Sequence, residues 1–253
     1  MAINKDVLEI ELKKYLIEFK NFLKTKNINV LINGNKIICS SNNNLTFSFS
    51  IADEINEGFP FDLIAAKPGK LAAIIQSKLK LNKKIFARNC QIKKIDKQNA
   101  IKFLNQYHLM NSTQSSSNLG LIYKDELLAV ASFSKGRKMN RLPENKRSYE
   151  LIRFCCMEGI TVTGGLTKLI KKFCKEKNAG DVMTYIDKQL SQGESFIKAG
   201  FKKIGETTPE YFLVNKKTFE RIPFKNFNEK FDTKLFYLTQ NSGNIKLVYT
   251  PDE

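Results

Sequence analysis

Near the N-terminus the apolar positions recur at helical spacing. Val7, Leu8, Leu12, Tyr15, Leu16, Phe19, Phe22 and Leu23 are separated by charged groups, which predicts an amphipathic opening helix. "INVLINGNKIICS" then sets Asn33-Gly34 between two apolar runs. This is a hairpin signal, because a type I′ turn needs positive φ at both central residues. In "NLTFSFSI", Leu45, Phe47, Phe49 and Ile51 alternate with polar neighbours and predict a third strand with one buried face. "EGFPFD" is expected as a loop and "PGKLAAIIQSKLKL" as a helix opened by Pro68. These elements make a small α+β unit over residues 1–84.

From "KKIFARNCQIKKID" onward the elements lengthen. Asp96 can cap a helix over "KQNAIKFLNQYHL", which the Ser-rich "NSTQSSS" breaks. "NLGLIYKDELLAVASFS" reads as a hairpin with Lys124-Asp125 at its tip, followed by the basic loop "KGRKMNRLPENKRS". "YELIRFCCM" and "DVMTYID" read as buried strands on either side of a helix in "LTKLIKKFCKEKN". "GESFIKAGF" is a short helix, and "FKKIGE" and "YFLVN" are strands. "KLFYLTQNSGNIKLVYT" reads as a closing hairpin that turns at Ser242-Gly243. Residues 85–253 therefore form a second α+β domain with a mixed sheet and flanking helices.

Composition adds a partner. Forty-two Lys and Arg against 25 Asp and Glu give a formal charge of +17, spread along the 253 residues. That balance favours a polyanion, most simply DNA or RNA, through phosphate neutralisation. A coding bias toward Lys, Asn and Ile gives the same excess, so charge alone does not identify the partner. Five cysteines without C-x-x-C spacing, and a single histidine, argue against a zinc ribbon or finger, and no metal is expected. Buried free thiols, no apolar run near ~20 residues and no signal-peptide core predict a soluble cytoplasmic protein without membrane contact.

The densest chemistry lies in "GITVTGGLTKLIKKF". A pyrophosphate needs several unhindered backbone N–H groups, and glycines just before a helix N-terminus supply them with a favourable dipole. Gly164 and Gly165 permit close approach, and Thr163 and Thr167 add hydroxyls around Leu166. A plain strand-to-helix turn uses such glycines equally well. In a loop expected next to that site, Lys135, Arg137, Lys138 and Arg141 form a basic cluster suited to a nucleic-acid backbone, or simply to solvent. Arg153 shares a strand with Glu150 at odd spacing, so the two are expected on opposite faces, with Arg153 turned toward a phosphate or a carboxylate. Asp62 followed by "QSK" hints at a metal nuclease, but "LAAIIQSKLK" is helical where that chemistry needs a strand.

In order, "YELIRFCCMEGITVTGGLTKLIKKF", "TYIDKQLSQGESFIKAGF" and "TTPEYFLV" resemble a domain of bacteriophage proteins. Its usual run is "YELLRFC", a loop with two glycines before "KL", then "SYAD", "LGF" and "T-x-P-x-Y". "KIFARNCQIKKI", "NQYHLMN" and "NSGNIKLVY" extend the likeness over roughly residues 84–250. That domain is similar to GNAT N-acyltransferases and to the Mom-type DNA-modifying enzymes of phages, and it often follows a Vsr-like homing endonuclease module. The metal-binding motifs of that nuclease are not recognisable here.

The resemblance implies a GNAT-like mixed twisted sheet and acetyl-CoA or a related acyl-CoA on Thr163–Thr167. Its "SYAD" corresponds to Thr184–Asp187, which keeps Tyr185 and Asp187. Asp187, at a strand end, is then the first candidate for a general base, or a helix N-cap. Tyr185 is an acid, a stacking group or a core residue, and His108 a proton shuttle or the holder of its loop. Phe196 stands where such enzymes commonly carry an acidic tyrosine. Two readings follow: a Mom-like transferase modifying nucleic acid, in the host-cell cytoplasm if phage-encoded, or a DNA-binding protein derived from a homing endonuclease without chemistry. An ordinary acetyltransferase for a protein or small amine is a third, and the high positive charge argues against a basic substrate.

Overall fold

The computed structural model describes residues 5–34, 36–52, 59–224 and 230–251. In chain order the elements are α1 (Lys5–Thr25), β1 (Asn29–Asn33), β2 (Lys36–Ser40), β3 (Thr46–Ala52), β4 (Phe59–Pro60), α2 (Phe61–Ala66) and α3 (Pro68–Lys78). Next come β5 (Lys83–Phe86), β6 (Gln91–Lys94), α4 (Lys97–Tyr107), β7 (Ser117–Tyr123), β8 (Glu126–Phe133), β9 (Arg147–Cys156), β10 (Ile160–Thr163), α5 (Gly165–Lys177) and β11 (Ala179–Asp187). The remainder is α6 (Glu194–Lys198), β12 (Lys202–Glu206), β13 (Tyr211–Asn215), β14 (Arg221–Pro223), β15 (Phe236–Gln240) and β16 (Asn244–Tyr249).

Two compact units result. The first takes Met1–Leu81, Lys188–Leu190 and Thr208–Gly243, and the second takes Asn82–Asp187, Ser191–Thr207 and Asn244–Glu253. In the first, strands run β1-β2-β3-β4 in one sheet and β14-β13-β15 in another. The β1–β2 hairpin closes on Asn33↔Lys36 with Gly34 at φ +57°, so its loop begins at Gly34, one residue later than the Asn-Gly pair predicts. "EGFPFD" is a loop in expectation, yet Phe59-Pro60 pairs in parallel with β3 and Phe61-Asp62 open α2. Pro60, with φ −62° and no N–H to lose, suits that helix start. Phe19, Leu23, Ile28, Ile37, Leu71 and Ile75 form the core.

What draws Thr208–Gly243 into this unit is visible at two places. Phe219 meets Tyr15 and Phe61 edge to face, with centroids 5.1 and 5.4 Å away. Arg221 grips the buried Asp62 carboxylate through Nε at 2.5 Å and Nη2 at 3.0 Å. Asp62 is thus tied up in an ion pair, and Gln76 and Lys78 lie on α3, so no nuclease-like cluster forms from them.

The second unit is built on a seven-stranded mixed sheet ordered β12-β16-β11-β9-β8-β7-β6, in which β11 and β9 are parallel. Asp96 caps α4, its carboxylate accepting from Asn99 N at 2.9 Å. The β7–β8 hairpin turns on Lys124 and Asp125, both at positive φ. One face of the sheet packs α5 through Phe133, Leu151, Val182, Leu169, Ile170 and Phe173. The other packs α4 through Val130, Phe103 and Leu104.

Two sequence expectations change here. "KLFYLTQNSGNIKLVYT" is not a hairpin: β15 pairs with β13 in the first unit, whereas β16 pairs with β11 and β12 in the second. Gly243, at φ +80°, turns the chain between them. Nor is β9 uniformly buried. Ser148 and Leu151 are buried, while Tyr149, Glu150 and the stretch Ile152–Cys156 are half-buried.

Candidate active site

β10 pairs in parallel with β5 and delivers the chain into α5 at Thr163-Gly164-Gly165. Gly164 is the N-cap at φ +76°, a conformation that strains any residue with a Cβ. Gly165 is required for packing, since a Cβ there would sit 3.0 Å from Leu121 Cδ1 and 3.2 Å from Val162. Each glycine therefore has a reason within the fold.

Beyond that packing, the turn presents donors. The first helical hydrogen bond runs from Lys168 N to Gly164 O, which leaves the N–H groups of Gly165, Leu166 and Thr167 ahead of the ladder at the positive end of the helix. Leu166 buries its side chain, so only its backbone faces outward, while Thr163 is exposed and Thr167 half-buried. Lys168 does not add a cation to the turn. Its Nζ donates to the carbonyls of Ala87 and Cys90, at 2.9 and 2.6 Å, and so fixes the short turn that follows β5. That turn carries exposed Arg88 over the ring of exposed Phe86, 5.0 Å from its centroid. Phe86 pairs with Thr163, so an aromatic and a guanidinium border the glycines, a neighbourhood that the sequence signals only by "IFARN".

The parallel pairing of β9 and β11 stops at Met183↔Glu150. Beyond it β9 stays with β8 and β11 stays with β16, so a wedge opens between them. Thr184 Oγ1 donates to Leu151 O at 2.9 Å and closes its apex. α5 runs back to the start of β11, and β11 returns toward the glycine turn, so the α5 N-terminus and Asp187 lie at the same end of the sheet.

One irregularity reshapes the face opposite α5. Ser132 pairs with Arg153 and Phe133 with Leu151, so Ile152 is an extra residue in β9. Such a bulge inverts the alternation. Glu150 and Arg153, expected on opposite faces from their odd spacing, stand on the same one, with Ser132. Burial lowers the Arg153 pKa and the Glu150 charge opposes that shift. Arg153 Nε donates to Asn111 O at 3.1 Å, which ties β9 to the loop after α4. In that loop His108 Nδ1 accepts from Met110 N at 3.1 Å, so the neutral ring carries its proton on Nε2.

Cross-strand partners extend the same face. Met183 shares it with Glu150, and Tyr185 and Asp187 follow by alternation. Tyr185 is 41% exposed, which removes the core reading. Asp187 is not the N-cap of the next helix, because α6 starts after Gly193, which is its N-cap. Arg153, Tyr185 and Asp187 are therefore brought to one face, with the His108 loop tethered to it. Phe196 is half-buried in the opposite layer, edge to face with Phe201 at 5.6 Å.

The basic loop lies elsewhere. It precedes β9, hence at the end of the sheet away from Asp187 and the glycine turn, and not beside the site as its sequence position suggests. Lys135, Arg137 and Lys138 are exposed there, Arg137 pairing its backbone with Ser148. Arg141 donates to the buried Asp181 carboxylate and anchors the loop. None of the five cysteines is in a disulfide, and no described helix is long and apolar enough to cross a membrane.

The class that fold and site define is thus an α+β unit whose mixed twisted sheet opens beside a glycine-led helix. No protein-family model matches the chain, and a search of the curated proteins finds none similar to it. Solved structures similar to it include a GNAT family acetyltransferase from Elizabethkingia anophelis with acetyl-CoA bound, at 13% identity and TM-score 0.39, covering 64% of this chain and 99% of that one. A Bacillus subtilis acetyltransferase in complex with CoA is similar at 12% identity and TM-score 0.40, with the same coverages of 64% and 99%. So is a histone acetyltransferase HPA2 and related acetyltransferase from Corynebacterium glutamicum, at 8% identity and TM-score 0.39, covering 65% and 98%. Identities and scores this low leave the site's chemistry to its own geometry.

Proposed function

We propose that the second unit holds acetyl-CoA or a related acyl-CoA on the β10–α5 turn and transfers the acyl group to a base of DNA or RNA, as a Mom-like GNAT transferase. The observation that carries this reading is the wedge between β9 and β11, which lies at the same end of the sheet as three outward N–H groups on one side and Tyr185 and Asp187 on the other. The donor's pyrophosphate fits the N–H groups of Gly165, Leu166 and Thr167, because Gly164 is exposed and brings no side chain over them. Strand edges left unpaired in the wedge suit the amides of an extended chain. When bound, the thioester supplies an activated acyl carbonyl.

The protein's own part is proton handling and placement. Asp187 takes the proton released by the acceptor nitrogen, and Tyr185 or the Nε2–H of His108 supplies one to the departing thiolate. Arg153 and the exposed Lys135, Arg137 and Lys138 hold phosphates, while a base inside a duplex needs single strands or flipping to be reached. Calorimetric titration with acetyl-CoA, followed by mass spectrometry of nucleosides from DNA incubated with both, tests it. The expected result is saturable heat and a nucleoside heavier by one acyl group; no heat removes the donor.

Phe196 favours a second reading, a DNA-binding protein whose GNAT-like domain has no chemistry. Its ring packs on Phe201 and offers no acid. Donor heat without a modified nucleoside, together with salt-dependent DNA binding, is the outcome that selects it.

A further inference from the structure

Among the described residues, the half of the sheet formed by β11, β16 and β12 carries the unit's helices on one face only. α5 and α6 cover the side of Val182, Ile186 and Leu247, and α4 packs farther along, on β8 and β9. On the side away from those helices the register sets three rows. Lys202, Val248 and Met183 form the first, and Gly205, Lys246 and Tyr185 the second. Asn244 and Asp187 form the third, extended by Thr207, whose Oγ1 accepts from Asn244 N at 2.9 Å.

The middle row has the shape of a shelf. Tyr185 stands 41% exposed in the interior of a paired strand, where an aromatic ordinarily finds cover. Lys246 Nζ lies 5.9 Å from its ring centroid, within cation–π range. Beyond Lys246, a Cβ on Gly205 would meet nothing within 4 Å, so the floor there is flat and open. The register shift between Lys203 and Gly205 makes this possible, since it brings a glycine opposite Lys246.

From these three features together we propose, resting on the nucleic-acid reading above, that this face is a base-stacking platform for single-stranded nucleic acid. One base lies on Tyr185 and its neighbour over Gly205, with phosphates against Lys246 and Lys202. Charge complementarity selects this occupant: an exposed aromatic beside the Lys246 ammonium, with Lys202 one row away, on a chain of formal charge +17, matches the π-faces and phosphates of a single strand. The Asp187 carboxylate repels phosphate and so meets base edges, with Asn244 beside it. Tyr185 thereby acts by positioning the acceptor.

Fluorescence anisotropy with a labelled single-stranded oligonucleotide tests the proposal on the full chain. Tyr185→Ala is expected to weaken binding about 5- to 100-fold, with Tyr185→Phe close to wild type, because stacking needs the ring and not the hydroxyl. Lys246→Ala is expected to lower the slope of log K against log salt by about 0.7. An abasic oligonucleotide of equal length is expected to bind wild type as weakly as the intact strand binds Tyr185→Ala. Thermal melts of each variant confirm folding, for which these exposed or half-exposed sites give latitude. Equal affinity of Tyr185→Ala and wild type overturns the platform, as does equal binding of the abasic strand, or competition by poly-glutamate matching that by unlabelled strand. Failure of the transferase reading is a separate signal, the absence of heat from acetyl-CoA in wild type.

Discussion

Thr167→Glu isolates the donor site from the fold. Thr167 is the third residue of α5, half-buried, with its N–H among those that precede the helical ladder. A carboxylate there favours the helix, since acidic groups in the first turn gain about 0.3–1 kcal/mol from the macrodipole. The same carboxylate stands where the pyrophosphate is placed. Two negative charges about 5 Å from it, in an effective dielectric of about 40–80, meet a repulsion of roughly 1.5–3 kcal/mol. That is about a 10- to 150-fold loss of affinity. Calorimetry with acetyl-CoA at low salt reads it, alongside a thermal melt at or above wild type. A folded Thr167→Glu protein that binds acetyl-CoA as tightly as wild type refutes the placement. Gly165→Glu is the poorer probe, because its Cβ already collides with Leu121 and Val162, and lost binding would report lost packing.

Further outcomes follow from the same geometry. Asp62→Ala leaves the Arg221 guanidinium, gripped through Nε and Nη2, without its carboxylate; about 3–5 kcal/mol of stability is expected to go in urea unfolding. Phe173→Ala removes a ring stacked 3.7 Å from Phe133 at the centre of the second core, at a cost of about 3–5 kcal/mol by the same assay. Burial pushes the Cys39 and Cys174 thiols up to about 12 from 9.0. A raised folded pKa means their stabilisation is whole below pH 9.0 and is lost as pH rises toward about 12. Unfolding free energy is thus expected to fall across that window, less steeply in Cys174→Ala, and the two thiols to resist a disulfide reagent at pH 8 in the native state. Neutralising Lys135, Arg137 and Lys138 together is expected to lower the salt slope of DNA binding by about 2–3, and an unchanged slope removes the loop from the interface.

Local pattern determined much of this protein. The 3.6-residue periodicity, the Asp96 cap, the Lys124-Asp125 turn and the glycine-led start of α5 are each written in a few adjacent residues, because they depend on backbone preferences and nearest neighbours. The α+β class and the mixed sheet follow from the alternation of those elements. Which strands pair was not written locally. β15 and β16, adjacent in sequence and both apolar, part into different sheets, and Asp62 finds Arg221 across 159 positions, for no short-range signal encodes a partner that far away.

The site divides in the same way. Residue types made Gly164, Arg153, Tyr185 and Asp187 candidates, but only the fold decided how they meet. The extra residue at Ile152 turned Arg153 to the face of Glu150, against the expectation of simple alternation. Parallel pairing of β9 with β11 sent the basic loop to the far end of the sheet, and the shift after Lys203 placed a bare glycine beside Lys246. Bulges and register are set by the sum of hydrogen bonds and packing over whole strands, a quantity that no single stretch of sequence contains.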